Sequence, residues 1–244
     1  MRRYVGALVT VVVGAVAAIV IISSLGTFSR PQVSAQAQDI GTQSTAAGTL
    51  KHVSLTLQTF PMNPYEDPAW IAAHVTGQTD HGVPYPAPGD NQDWVTYWPT
   101  TNLVVPAHAV VTITIENYDS ATPLLNPFYG VPQGVEGGSI TVNGKTVTSV
   151  DPANVSHTFT IHSIPYANNQ PWLYVSVPVT GADPNAKADD AGMPYQPEVT
   201  QFSFVTGDPG SYIWQCFDPC GSNYNGFGGP MSTKGYMSGT LIVQ

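Results

Sequence analysis

Charged residues are scarce in this chain of 244 residues, because Asp, Glu, Lys and Arg together make up only 9% of it. Globular domains average about 25%. The chain also lacks a glycine-rich phosphate loop, a nucleophile elbow and a pair of carboxylates at a useful spacing. Nothing in the sequence therefore predicts nucleotide binding or hydrolysis.

Three of the seven basic residues, Arg2, Arg3 and Arg30, flank an apolar segment in the N-terminal region. Beyond Arg30, four basic residues stand against sixteen acidic ones, which gives the body a formal charge of about -12. Such a surface repels nucleic acid phosphates and attracts basic protein partners over long distances. We expect no nucleic acid ligand, and the charge could equally serve solubility alone.

An uncharged segment, residues 4–28 (YVGALVTVVVGAVAAIVIISSLGTF), predicts a membrane anchor within residues 1–29. At about 1.5 Å per residue, a helix of this length can span a bilayer core of about 30 Å. Arg2 and Arg3 precede the segment, so the positive-inside rule places the N-terminus in the cytoplasm and the body outside. The alternative is a signal peptide cleaved after Ala37, which would give a secreted protein. Either way the body is predicted to be extracytoplasmic, where disulfides can form.

Residues 30–49 (RPQVSAQAQDIGTQSTAAGT) are small and polar and show no apolar periodicity, which predicts a flexible linker. A flexible chain of this length has a reach on the order of 25 Å. Residues 50–244 then form one predicted domain, which is long enough to bury a substantial core.

Short alternating segments rich in β-branched residues predict that this domain is all-β. They are residues 52–60, 110–115, 154–165, 172–179, 200–207, 210–216 and 239–243. Asn143-Gly144 between two alternating runs predicts a hairpin, because both turn positions need positive φ. The aromatic residues of DWVTYW (93–98), at the end of a Pro-rich region, are expected to fill the core. Some seven or eight strands, with no helical pattern after the anchor, predict a β-sandwich.

The chain has two cysteines, Cys216 and Cys220, in a glycine-rich loop after a predicted strand. Alternation along GSYIWQC places Tyr212, Trp214 and Cys216 on one face of that strand, so Cys216 lies at the rim of the sandwich. Thiolates are soft ligands that suit copper or zinc. The spacing also allows a disulfide, and closing so small a loop would stabilise the fold by about 2 kcal/mol. The residues alone leave both possibilities open.

Four segments together resemble a known family: NLVVPAHAVVTITIENYD (102–119), NVSHTFTI (154–161), GSYIWQCFDPCG (210–221) and MSGTLIV (237–243). They follow the order of the cupredoxins, and in particular of the CuA-bearing subunit II of haem-copper oxidases. The resemblance covers most of residues 50–244 and implies a cupredoxin-like Greek-key β-sandwich. It also implies a copper site made of His157, Cys216, Cys220, Met237 and the main-chain carbonyl of Asp218.

The chain departs from the CuA pattern at Tyr224, where the family has a histidine four residues after the second cysteine. No histidine follows His162, so a mononuclear or dinuclear copper site of the usual kind lacks an imidazole. The missing ligand could be Met231, His74 or His81. Alternatively, no residue replaces it. His162 itself is unsuitable, because its separation of five residues from His157 on a strand directs the two side chains to opposite faces.

The resemblance implies a membrane-anchored copper protein that transfers electrons beside a respiratory haem-copper oxidase. Its partners would be oxidase subunits or a basic electron-carrier protein, and it would transform no substrate by itself. The alternative is a metal-free accessory or assembly subunit in which Cys216 and Cys220 form a disulfide. A multicopper oxidase would need several His-x-His pairs, and the chain has none. His52 and His108 are expected to be ordinary surface histidines.

Overall fold

Short β-strands make up most of the described chain, which comprises residues 34–61, 95–164, 172–188, 194–218, 230–232 and 235–244 of a computed structural model. These residues belong to one compact unit, Val33–Gln244. The strands are β1 (Ala35–Gln36), β2 (Gln38–Thr45), β3 (Gly48–Pro61), β4 (Val95–Trp98), β5 (Asn102–Val105), β6 (Ala109–Asn117), β7 (Ile140–Val142), β8 (Lys145–Val147), β9 (Val155–Ser163), β10 (Tyr174–Thr180), β11 (Glu198–Val205), β12 (Gly210–Gln215) and β13 (Ser238–Val243). The helical segments among them are short 3-10 turns: Pro127–Gly130, Glu136–Gly138, Pro152–Asn154 and Pro230–Ser232.

The strands form two sheets. The first sheet has the order β1-β5-β13-β12-β9-β10, and the second has the order β2-β3-β6-β11-β7-β8 with β4 paired to β3. The pairs β5–β13 and β3–β6 are parallel, whereas β12 is antiparallel to both β9 and β13. The chain crosses repeatedly between the sheets, as Greek-key connections do. The predicted all-β sandwich is confirmed.

Aromatic side chains from both sheets meet in the core. Trp214 of β12 lies 4.5 Å from Phe159 of β9 and 4.9 Å from Tyr97 of β4, measured between ring centroids. Phe159 also contacts Phe202 of β11 at 5.9 Å. The Trp214 Nε1 donates a hydrogen bond of 2.9 Å to the carbonyl of Thr101, so this ring is fixed in orientation as well as buried. The expectation that the aromatic residues before Pro99 fill the core is confirmed for Tyr97 and Trp98.

The predicted hairpin is present between β7 and β8. Asn143 has φ 48° and Gly144 has φ 79°, so both turn residues lie in the left-handed region as the Asn-Gly dipeptide predicts. The side chain of Asn143 also ties the turn to β11, because its Oδ1 accepts a hydrogen bond of 2.9 Å from the backbone N–H of Val199.

The structure differs from the predicted linker at residues 30–49, because residues 35–49 contribute to strands. β1 pairs in parallel with β5, and β2 pairs antiparallel with β3. Most side chains of β2 are exposed, so this strand shows no alternation that the sequence could reveal. The sheet therefore begins well before residue 50. The alternative cleavage site after Ala37 lies between β1 and β2, and cleavage there would remove β1.

The predicted anchor, residues 4–28, lies outside the described residues. Within the described part of the chain, no helix is long and apolar enough to cross a membrane.

Candidate metal centre

Cys216 follows the last residue of β12 and points into one end of the sandwich. Tyr212, Trp214 and Cys216 are all buried, whereas the residues between them are partly exposed, as the predicted alternation requires. The backbone N–H of Cys216 donates a hydrogen bond of 3.0 Å to the carbonyl of Met237, just before β13. The end of β12 and the start of β13 therefore hold the thiol at the rim.

His157 lies on β9, the strand next to β12, and is 2% exposed. Its Nε2 lies 3.0 Å from Oδ2 of Asp119. Burial lowers the pKa of His157, but hydrogen bonding and charge from Asp119 and Cys216 raise it to about 9. The structure thus places the buried His157 imidazole close to Cys216 and Asp119.

Thr158 directs two hydrogen-bond donors at the sulfur of Cys216. Its backbone N–H lies 3.4 Å from Sγ of Cys216 and its hydroxyl lies 3.9 Å from the same atom. The Thr158 hydroxyl in turn accepts a hydrogen bond of 2.6 Å from the backbone N–H of Phe217. Donors at this position favour a negatively charged sulfur.

Asp218 turns its main-chain carbonyl toward the sulfur, and the Sγ of Cys216 donates to that oxygen at 3.4 Å. The carboxyl group is buried, and its Oδ2 has no hydrogen-bond partner within the described residues. Burial and the neighbouring Cys216 raise the pKa of Asp218 to about 7, against the lowering effect of His157. The carbonyl that the family resemblance implies as a ligand therefore lies at the thiol.

Met237 is fully buried and belongs to the same hydrophobic cluster as Cys216. Its backbone N–H donates a hydrogen bond of 3.1 Å to the carbonyl of Pro230. Met231, which follows Pro230, is 8% exposed and also belongs to this cluster. Both thioethers are therefore buried in the cluster that contains the thiol.

Asp119 is a site residue that the sequence did not identify. It follows β6 of the second sheet, whereas His157 lies on β9 and Cys216 follows β12, both strands of the first sheet. A single carboxylate at the end of a strand, far along the chain from its histidine, has no spacing signal. Its position at the end of the segment NLVVPAHAVVTITIENYD was the one available indication.

The remaining candidate histidines are elsewhere or outside the described residues. His162 lies on β9 beside Phe217, with ring centroids 5.7 Å apart, and its Nδ1 contacts the carbonyl of Ser163. His52 contacts Thr112, and His108 contacts Asp208 in an exposed pair. The predicted ligand Cys220, the vacant position at Tyr224, and the alternatives His74 and His81 are outside the described part of the chain.

The residues present fit a soft cation only in part. A thiol, an imidazole and two thioethers are donors that copper accepts, and the buried Asp218 Oδ2, which has no hydrogen-bond partner within the described residues, is a further polar atom beside the thiol. The described residues supply one imidazole to this cluster. Among these residues, no group of three His, Cys, Asp or Glu side chains is arranged to hold a metal.

Comparisons with known proteins found no matching family model and no matching curated protein. Among solved structures, the chain is similar to auracyanin B at 12% identity, covering 84% of this chain and 96% of that one, with a TM-score of 0.30. It is similar to rusticyanin, described as a copper protein, at 13% identity over 85% and 88% of the two chains, with a TM-score of 0.29. A multicopper oxidase matches at 9% identity over 79% of this chain and 44% of its own, with a TM-score of 0.27. Likenesses this distant carry no argument about function, which must come from the geometry of the chain itself.

Proposed function

We propose that the chain is a membrane-anchored, extracytoplasmic copper protein of the cupredoxin type that transfers electrons beside a respiratory haem-copper oxidase. The observation that carries this proposal is that the His157 imidazole and the Cys216 thiol are both buried at neighbouring strands of one sheet, with the backbone N–H of Thr158, next to His157, 3.4 Å from the sulfur. Met237 adjoins them through its backbone hydrogen bond to Cys216. Nitrogen and sulfur donors in this combination are typical of copper electron-transfer sites.

The residues that would hold the metal are His157, Cys216 and Met237, with the Asp218 carbonyl and Cys220. Copper bound by these groups supplies one-electron redox chemistry. The protein's own contribution is positional, because the site joins three neighbouring strands that are hydrogen-bonded along their length. Donors on such a frame would move little between two oxidation states.

The protein also shields the sulfur. Cys216 is fully buried, and the Thr158 backbone N–H lies 3.4 Å from its Sγ. A dry site with a fixed donor stabilises a thiolate without any rearrangement of water. The surroundings of the sulfur therefore favour a thiolate that can bind a cation.

One further ligand is needed, and Met231 is the candidate that lies within the described residues. It follows Pro230, whose carbonyl accepts a hydrogen bond from the Met237 backbone N–H. Met231 is also buried in the hydrophobic core that contains Met237 and Cys216. Met231 would make the site rich in sulfur and so favour Cu(I). His74 and His81 are the alternatives, and either would favour Cu(II) more strongly.

The location and partner in this proposal depend on the sequence. Residues 4–28 would provide the anchor, and the two arginines before them set the orientation. The body beyond Arg30 carries about -12 charges, which would steer a basic electron carrier toward it. This attraction would weaken as the salt concentration rises.

The purified full-length chain in detergent provides the test. Copper is added under reducing conditions, the sample is then oxidised, and bound copper, visible absorption and reactive thiols are measured on the same material. We expect stoichiometric copper with thiolate-to-copper absorption bands that Cys216→Ser abolishes and His157→Ala weakens. The matched control is His162→Ala, which removes a histidine of the same strand and should leave copper binding unchanged.

Absence of both copper and reactive thiols would contradict the proposal. That result would favour the metal-free accessory subunit, in which Cys216 and Cys220 are joined. A Cys220→Ser variant separates the two sulfurs: if both are ligands it loses copper, and if Cys216 alone is the ligand it retains copper.

A further inference from the structure

The carboxylate of Asp119 contacts the imidazole of His157 at Nε2. The Oδ2 of Asp119 lies 3.0 Å from Nε2 of His157, whose side chain is 2% exposed, and the backbone N–H of the next residue, Thr158, lies 3.4 Å from the sulfur of Cys216. We infer that Asp119 is a positioning residue, which fixes the His157 ring with Nε2–H toward the carboxylate and Nδ1 toward the sulfur. The inference about the ring depends on this geometry alone, and its effect on copper depends on the function proposed above.

Asp119 can fix another residue because its own position is determined by several hydrogen bonds. Its Oδ1 accepts from the backbone N–H of Ser120 at 2.9 Å, and its own backbone N–H donates to Oδ1 of Asn117 at 3.1 Å. Its carbonyl accepts from the backbone N–H of Ala182 at 2.8 Å and from the Asn117 side chain at 3.0 Å. One carboxylate oxygen is thus held by the turn, and the other is directed at the histidine.

The turn that carries Asp119 is packed tightly against the end of β10. The Asn117 side chain donates a second hydrogen bond, of 2.8 Å, to the carbonyl of Thr180. A Cβ added at Gly181 would lie 2.4 Å from the backbone nitrogen of Ala121, so only glycine permits this approach. The backbone from which the Asp119 carboxylate extends is therefore held firmly against the end of β10.

Fixing the ring determines which nitrogen is available to a metal. When one imidazole nitrogen donates to a carboxylate, the other is directed to the metal and its basicity rises. A 180° flip of the His157 ring would place a carbon where Asp119 now contacts nitrogen, and would lose this polar contact. The Asp119 charge, close to the site, also favours the more positively charged oxidation state of a bound ion.

The test compares Asp119→Asn with Asp119→Glu in the full-length chain. The first variant keeps an oxygen for the Ser120 contact and removes the charge, and the second keeps the charge. The matched control is Asp208→Asn, which breaks the exposed His108–Asp208 pair of 3.1 Å on the surface. Unfolding midpoints of all variants show whether the fold is retained.

The first measurement is nitrogen-15 NMR of the imidazole rings without copper. We expect a slowly exchanging Nε2–H of His157 in the parent chain, its loss in Asp119→Asn, and its retention in Asp119→Glu and Asp208→Asn. A His157 signal unchanged in Asp119→Asn overturns the inference. If the signal depends on Asp119 but no variant binds copper, the positioning contact is supported and the proposed function is contradicted.

The second measurement is the midpoint reduction potential of the copper-loaded forms. We expect an upward shift in Asp119→Asn, because a negative charge beside the ligand is lost, with no comparable shift in Asp208→Asn. Equal potentials in these two variants would contradict the electrostatic part of the inference.

Discussion

The backbone N–H of Thr158 lies 3.4 Å from Sγ of Cys216, and the Thr158 hydroxyl accepts a hydrogen bond of 2.6 Å from the N–H of Phe217. One residue of β9 therefore holds both the sulfur and the backbone just after it. This relationship explains why the thiol lies at a fixed position although the loop that follows is rich in glycine.

Removal of the Thr158 hydroxyl tests this relationship. In Thr158→Val the shape of this fully buried side chain is kept, but the part-buried Phe217 N–H loses its acceptor. We expect the free energy of unfolding to fall by about 1–3 kcal/mol, measured by urea denaturation. The matched control is Thr114→Val, whose hydroxyl accepts from Gln201 at an exposed position and which should change stability by less than about 0.5 kcal/mol. An equal fall in the free energy of unfolding of the two variants would show that the Thr158–Phe217 hydrogen bond stabilises the fold no more than the exposed one.

Met237→Leu tests whether Met237 is a copper ligand or a core residue only. The two side chains have similar volumes, so the free energy of unfolding should change by less than about 1.5 kcal/mol at this fully buried position. If the thioether is a ligand, the same variant should bind copper less tightly and shift its absorption. Copper titration of the two proteins makes the comparison. Unchanged copper affinity and absorption would show that Met237 is a core residue only.

Gly239→Ala tests the close packing of β13 at the site. An added Cβ would lie 1.9 Å from the Thr101 carbonyl, which already accepts hydrogen bonds from Thr240 N–H and Trp214 Nε1. The strand cannot move away without loss of these bonds, so we expect destabilisation of about 3 kcal/mol. Gly207→Ala is the control, because nothing lies within 4 Å of its added Cβ and its stability should stay the same or rise slightly. Similar unfolding midpoints for both variants would contradict this packing.

The N-terminal strands lead to a prediction about truncation. A chain beginning at residue 50 loses β1 and β2, and so exposes the outer edges of β5 and β3. Unpaired strand edges promote association between molecules. We expect residues 50–244 to unfold at a lower urea concentration and to self-associate, compared with residues 34–244, in size-exclusion chromatography. Identical behaviour of the two fragments would indicate that residues 34–49 act as a linker after all.

The parts of the fold that the sequence predicts correctly are those in which one face is buried. The alternation of Tyr212, Trp214 and Cys216 follows directly from burial on one side of β12, and Asn143-Gly144 is determined by local backbone geometry. By contrast, β2 is exposed along most of its length and all four residues of β4 are buried, so neither strand alternates. Period-two patterns cannot identify such strands.

The candidate site was predictable to the extent that its residues lie on neighbouring strands with a family-like spacing. His157, Cys216, Met237 and the Asp218 carbonyl were proposed in this way, and the structure places them close together. Asp119 was missed because its contact with His157 depends on how the two sheets stack. Sequence spacing within one strand contains no information about that stacking.

Copper-edge X-ray absorption of the loaded full-length chain tests the central claim most directly, because it reports the atoms bound to the metal. The account predicts sulfur and imidazole nitrogen neighbours, with the sulfur contribution reduced in Cys216→Ser and the imidazole contribution lost in His157→Ala. A spectrum with only oxygen or nitrogen neighbours, identical in the parent chain and both variants, would contradict a copper site at His157 and Cys216.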